Sequence, residues 1–168
     1  MKAKSYIISF CFTCHVMCLY IKPLQFNSIM SSIRCANSLN ATNISLCMWN
    51  VNGILSRKSH QCKLNDPFFI DVVKHTDIVA LVETQASPDM SLALDGYVTY
   101  RKDRPKSNNG RHFGGWAVFI KKEIHLTGGL NLIKETHDYV WFKLNKEIFN
   151  FNEDIFLCIL HVYTTCKF

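Results

Sequence analysis

Ile44-Ser-Leu-Cys-Met-Trp-Asn-Val-Asn-Gly53 reads as a short apolar strand that runs into two asparagines and a glycine. Successive side chains of a strand point to opposite faces, so Ile44, Leu46, Met48, Asn50 and Asn52 share one face. Three apolar residues followed by two amides on that face describe a strand buried along most of its length, whose last inward positions open onto something polar. A site can sit at such a strand end. An Asn-x-Asn-Gly sequence also suits a plain turn, so the stretch needs support from the rest of the chain.

Downstream, Ser56-Arg-Lys-Ser-His60 is a polar connection, and a helix start follows it. Asn65 or Asp66 can cap, Pro67 suits the first helical position, and Phe68, Phe69, Val72 and Val73 recur at spacings of three and four. The pattern predicts a short helix ending near His75. Asp77-Ile-Val-Ala-Leu-Val-Glu83 is a compact apolar run bounded by charges, the pattern of a strand buried on both faces. Strand, helix and strand make a βαβ unit with a right-handed crossover. Val79, Leu81 and Glu83 would share a face, repeating the first strand's pattern of apolar residues followed by a polar group. Beyond Ser87-Pro88 the rhythm predicts strands over 96–100, 115–120, 139–144 and 154–163, without room for helices between them. Arg101, Lys102, Arg104, Lys106 and Arg111 lie among Pro, Ser, Asn and Gly over 101–112, a composition that predicts a mobile surface loop.

The 168 residues suffice for one ordinary domain. With 48% hydrophobic and 19% charged residues a packed core is expected, and disorder of the whole chain is excluded. A formal charge of +6 is compatible with a polyanionic partner such as nucleic acid. The eight cysteines show no paired framework and read mostly as free thiols in a reducing compartment. Cys11-Phe-Thr-Cys14-His15 fits a haem-attachment pattern, but it lies inside an apolar run and no haem pocket follows, so no haem is expected.

Residues 1–43 form an unassigned leader. Tyr6 to Ile21 is almost wholly apolar, flanked by Lys2, Lys4 and Lys22; it is short for a membrane span and suits the apolar part of a signal peptide better. Membrane attachment or secretion through residues 6–21 is therefore an open alternative to a buried strand. The sequons at Asn40 and Asn43 agree with secretion, but the second lies beside a strand that leaves no space for a glycan.

Asn50, Asn52 and Glu83, at the ends of neighbouring strands, would supply oxygen donors of the kind magnesium takes, since that ion keeps several waters and needs only one or two carboxylates. Each residue alone has a plainer account, a turn for the asparagines and a solvated strand end for the glutamate.

Met48-Trp-Asn-Val-Asn-Gly-Ile54 resembles the first motif of the endonuclease/exonuclease/phosphatase family, and Asp77-Ile-Val-Ala-Leu-Val-Glu-Thr84 resembles its second. Arg111-His-Phe-Gly-Gly-Trp-Ala-Val-Phe-Ile120 is similar to the family's Gly-Gly strand, and Asp138-Tyr-Val-Trp-Phe-Lys-Leu144 to the strand after it. The nearest likeness is to the apurinic-type endonuclease domain of LINE-like retrotransposons. Residues 44–168 would then be a partial two-sheet α/β sandwich of this type, acting on DNA by metal-dependent phosphodiester hydrolysis with Mg2+ or Mn2+. The resemblance implies Glu83 as the metal carboxylate, Asn52 as an outer metal ligand, Asn50 at the scissile phosphate, and Tyr163 facing that phosphate. It also implies a nuclear or cytoplasmic location.

Two departures follow. Thr164-Thr165 stands near the place of the proline of the family's Tyr-x-Pro motif, and the family's later Asp-x-Asn pair, second-sheet carboxylate and Asp-His pair have no counterpart through Phe168. The expectation is a truncated domain, inactive alone, with an apolar face for a protein segment that completes the sandwich. A non-catalytic nucleic-acid-binding fragment, using the basic residues of 101–111, is the alternative.

Overall fold

The computed structural model describes the backbone of residues 4–11, 16–20, 30–33, 44–55, 61–106, 110, 112–151 and 153–161, with side chains described only among residues 44–160 of that set. The elements run β1 (Lys4–Cys11), β2 (Val16–Tyr20), β3 (Met30–Ile33), β4 (Ile44–Asn50), α1 (Pro67–Val73) and β5 (Ile78–Val82). There follow β6 (Tyr97–Lys102), β7 (Trp116–Lys121), α2 (Lys122–Leu126), β8 (Leu130–Glu135), β9 (Tyr139–Leu144), α3 (Lys146–Phe149) and β10 (Ile155–His161).

Asp66 caps α1 as its position before Pro67 predicts, accepting from the Phe68 and Phe69 N–H groups at 2.8 and 3.4 Å. Of the apolar stripe, Phe69 and Val73 are buried while Phe68 stays 71% exposed. The helix therefore docks by a narrow seam. Tyr97 pins its end, with a hydroxyl 2.7 Å from the Val73 carbonyl and 2.6 Å from that of Thr76.

The strands form two sheets. The first has the order β3-β4-β5-β7-β6 and is mixed, with β4 parallel to β5 and the other pairs antiparallel. The second has the order β2-β1-β10-β9-β8; its β10, β9 and β8 are antiparallel and β1 runs parallel to β10. The apolar leader thus contributes backbone to strands β1 and β2. No described helix is long and apolar enough to cross a membrane.

The core lies between the sheets. Ile44, Leu46 and Met48 of β4 join Ile78, Ala80, Val82, Trp116, Val118 and Ile120, and meet Val140, Phe142, Leu144, Ile155, Leu157 and Ile159 of the second sheet. Alternate residues of the first sheet, Val79, Leu81, Ala117 and Phe119, face the other way and pack with Phe69 and Val73 of α1. Every residue of β5 is buried, the expected signature of a strand covered on both faces. Full burial of each large side chain stabilises by roughly 1.5–3 kcal/mol. The architecture is mixed α/β, two facing sheets with few helices. On the outer face of the second sheet Trp141, Phe156 and Leu160 are only half-buried.

Several expectations need correction. Short helices α2 and α3 do fit between the later strands, and β8 shows no strand alternation in sequence because four of its six residues are exposed and a register shift interrupts it between Leu132 and Lys134. Arg101 and Lys102 belong to strand β6, not to a loop. The Ser56–His60 connection, residues 107–109, the sequons at Asn40 and Asn43, and Cys14-His15 lie outside the described residues. Cys47, Cys62 and Cys158 are free thiols. Burial pushes the Cys158 thiol up to about 11, so it stays protonated and inert.

Asp77 ties three strands at the end opposite the asparagines. Its Oδ2 accepts from the Ser45 N–H at 2.8 Å and from the Ser45 hydroxyl at 2.7 Å, and its Oδ1 faces Lys121 Nζ at 2.9 Å. Burial by itself would raise this carboxyl, but the Ser45 bonds and Lys121 outweigh it and the net shift is downward. A carboxyl with a depressed folded-state pKa stabilises above its unfolded value and loses that contribution as pH falls through the folded value. Asp77→Asn should therefore cost about 1–2 kcal/mol at pH 7 and much less near pH 3, compared by urea unfolding of the two proteins.

Candidate functional site

The ends of β4 and β5 and the start of β7 are laced together by backbone hydrogen bonds. Val51, Gly53 and Ile54 donate to the carbonyls of Val82, Glu83 and Thr84 at 3.0, 2.7 and 2.7 Å. Thr84 and Gln85 donate in turn to Gly115 and Gly114 at 3.3 and 2.7 Å. The lacing bends each segment through left-handed backbone, with φ of 44° at Asn52, 57° at Glu83 and 50° at Gln85. Such angles are uncommon for residues with a Cβ, and they concentrate where surrounding structure enforces them, often at functional sites.

These bends decide where the side chains go. Strand β5 ends at Val82, and the left-handed turn at Glu83 removes that residue from the alternation that would have aligned it with Val79 and Leu81. Glu83 is 7% exposed, and its Oε2 accepts from the Gly114 N–H at 3.2 Å. Asn50 pairs in register with Val82, and its Oδ1 accepts from the Asn52 N–H at 2.9 Å. Asn52 Oδ1 accepts in turn from Gln85 Nε2 at 3.5 Å. Asn50, Asn52 and Glu83 are thus brought to one rim, as their positions at strand ends predict. Gln85 joins them, and no periodicity could have singled it out, because its place follows from two left-handed residues.

Gly115 is required in this lacing. Its φ is +81°, and a Cβ there would lie 2.8 Å from Thr84 Oγ1 and 3.2 Å from the Lys102 carbonyl. Thr84 is fully buried, and its hydroxyl has no hydrogen-bond partner among the described residues.

The same rim receives the turn between β8 and β9. Trp116 Nε1 donates to the Thr136 carbonyl at 2.8 Å, Lys102 pairs with Glu135 at 3.0 Å, and Arg104 pairs with Asp138. Arg101 pairs with Asp103 at 2.5 Å and donates to the Ser87 carbonyl at 2.9 Å. Three of the five basic residues proposed for nucleic acid therefore hold intramolecular carboxylates. Lys106 is exposed beside a bridge to His112, while Arg111 lies outside the described residues. Strand β10 ends at His161 on this rim, its Leu160 opposite Tyr139; Tyr163 lies outside the described residues.

The donor set is one buried carboxylate and neighbouring amide oxygens. No group of three or more His, Cys, Asp or Glu that could hold a metal occurs among the described residues. All-oxygen donors with a single carboxylate fit a hard cation such as magnesium or manganese, which retains water and borrows oxygens from a phosphate, and do not fit zinc. Compared with protein-family models, with curated proteins and with solved structures, the chain finds no match.

Gly115→Ala forces Cβ contacts below ordinary packing distance at a positive φ. It should destabilise by about 1–3 kcal/mol in urea unfolding, whereas Gly128→Ala, with nothing within 4 Å of the added methyl, should cost less.

Proposed function

We propose that the chain carries the Glu83 metal site of a metal-dependent phosphodiesterase of the endonuclease/exonuclease/phosphatase type, with DNA as substrate. The observation that carries this reading is the buried Glu83 carboxylate, held by the Gly114 N–H at the end of the central strand, on the rim that also carries the Asn50, Asn52 and Gln85 amides. The four ordered sequence resemblances across residues 48–144 support it, and so does the mixed α/β architecture.

In this reading Glu83, with an amide oxygen of Asn52, would hold Mg2+ or Mn2+, and such an ion supplies charge neutralisation at the phosphate's nonbridging oxygens. Asn50, braced by its own bond to the Asn52 N–H, offers an amide that donates to a phosphate oxygen. The backbone lacing keeps these groups in place before substrate arrives, so little reorganisation accompanies binding. A group to activate water is not among them. This sequence holds no counterpart of the family's Asp-x-Asn and Asp-His pairs, and we expect the chain alone to bind cation and DNA without turnover.

A non-catalytic nucleic-acid-binding role is the second reading, favoured by the +6 charge and the exposed Lys106. The pairing of Arg101, Lys102 and Arg104 with carboxylates leaves it less cationic surface.

Titration with Mn2+, followed by the electron paramagnetic resonance of the free ion, should show binding that Glu83→Gln weakens at least about tenfold, the scale of one lost charged contact. Equal binding by the two proteins would remove Glu83 from the metal site. On supercoiled plasmid with Mg2+, the chain should nick no faster than Glu83→Gln; rapid nicking abolished by that substitution would show that the chain is catalytic by itself.

A further inference from the structure

Beside the rim is a cavity of about 440 Å³ lined by Arg104, Pro105, Phe113, His137 and Asp138. Its walls come from the segment after β6, the residue before the Gly114-Gly115 pair, and the turn between β8 and β9. Phe113 immediately precedes Gly114, whose N–H holds the Glu83 carboxylate. The cavity wall is therefore joined through one peptide link to the backbone that holds the candidate metal carboxylate.

Its chemistry is mixed in a particular way. Phe113 is 49% exposed and lines this recess, so an aromatic side chain is open to a ligand there. At the other wall Arg104 and Asp138 are ion-paired, with the carboxylate 59% exposed. A flat apolar surface next to a fixed donor and a fixed acceptor suits a planar ring that carries both amino and carbonyl groups on its edge. The volume falls in the range of small-molecule sites, about 300–1,000 Å³. The +6 charge of the chain favours a polyanion over a basic or neutral partner.

We propose that this cavity is a base-binding pocket, which takes one unpaired nucleobase stacked on Phe113 from a strand whose backbone passes Glu83. A paired base cannot present both its face and its hydrogen-bonding edge to a recess, so the strand is single or locally opened. Arg104 donates to a ring carbonyl or ring nitrogen, and Asp138 accepts from an exocyclic amine or ring N–H. The Arg104–Asp138 pair, whose carboxylate is 59% exposed at the mouth of the pocket, is then the reader of the base. This inference rests on the phosphodiester reading of the Glu83 site, because it needs a nucleic-acid strand on the rim.

The test compares the affinity of the full chain, with chelator present to prevent cleavage, for a fluorescent single-stranded oligonucleotide and for an abasic oligomer of the same length and charge. The base-bearing strand should bind roughly tenfold more tightly, the scale of one base stacked on an aromatic ring. Phe113→Ala should remove that preference, and Phe113→Trp should restore it. Phe113 is half exposed, so neither change should cost the fold, and unaltered urea unfolding checks this. Equal affinity for the two strands, or a preference that survives Phe113→Ala, overturns the pocket. Failure of the manganese titration at Glu83 overturns the metal reading, and because the oligonucleotide comparison is made in chelator without manganese, each failure is identified separately.

Discussion

Five backbone hydrogen bonds between the ends of β4, β5 and the start of β7 are the constraint on which the rest of the rim depends. Where regular ladders stop, the chain still has donors and acceptors to satisfy, and here they are satisfied laterally, segment to segment. The cost is left-handed backbone at Asn52, Glu83 and Gln85, three positions that carry side chains. Each such residue costs on the order of 1–3 kcal/mol and persists only where its surroundings over-determine it. The return is a set of polar side chains aimed by backbone geometry rather than by their own rotamers. Glu83 is the clearest case, because a buried carboxylate needs a donor and the lacing presents the Gly114 N–H to it.

The two ends of the first sheet are organised differently. At one end Asp77 gathers Ser45 and Lys121 and joins β4, β5 and β7 through charge-assisted bonds. Those contacts are made between side chains and backbone of the sheet itself. At the other end the sheets are joined through Trp116 to Thr136, Lys102 to Glu135 and Arg104 to Asp138, and carboxylate, amides, aromatic face and cavity gather there. The basic residues of β6 and of the segment after it are structural partners before they can be anything else. Arg101 holds Asp103 and the Ser87 carbonyl, which fixes the 87–90 segment against the strand.

Local pattern was most legible where a single physical rule governed it. The cap at Asp66 with Pro67 after it, the run Ile78–Val82 buried on both faces, and the inward Ile44, Leu46 and Met48 all follow from spacing and residue type. Strand β8 was illegible because exposure erased its alternation, and α2 and α3 because helices of five and four residues show no full period. For Glu83 the alternation with Val79 and Leu81 does not hold, since the left-handed turn there ends the strand's parity at Val82.

By itself, then, the sequence determined the strands β4, β5, β7, β9 and β10, where α1 starts, and that polar groups stand at the ends of β4 and β5, because these depend on periods of two and 3.6 read along one segment. Only the tertiary structure decided that Gln85 joins the amides, that Gly115 admits no Cβ, that Arg104 meets Asp138 across 34 residues, and that Phe113 opens onto a cavity. Each of those facts is a relation between segments distant in sequence, and no local period carries it.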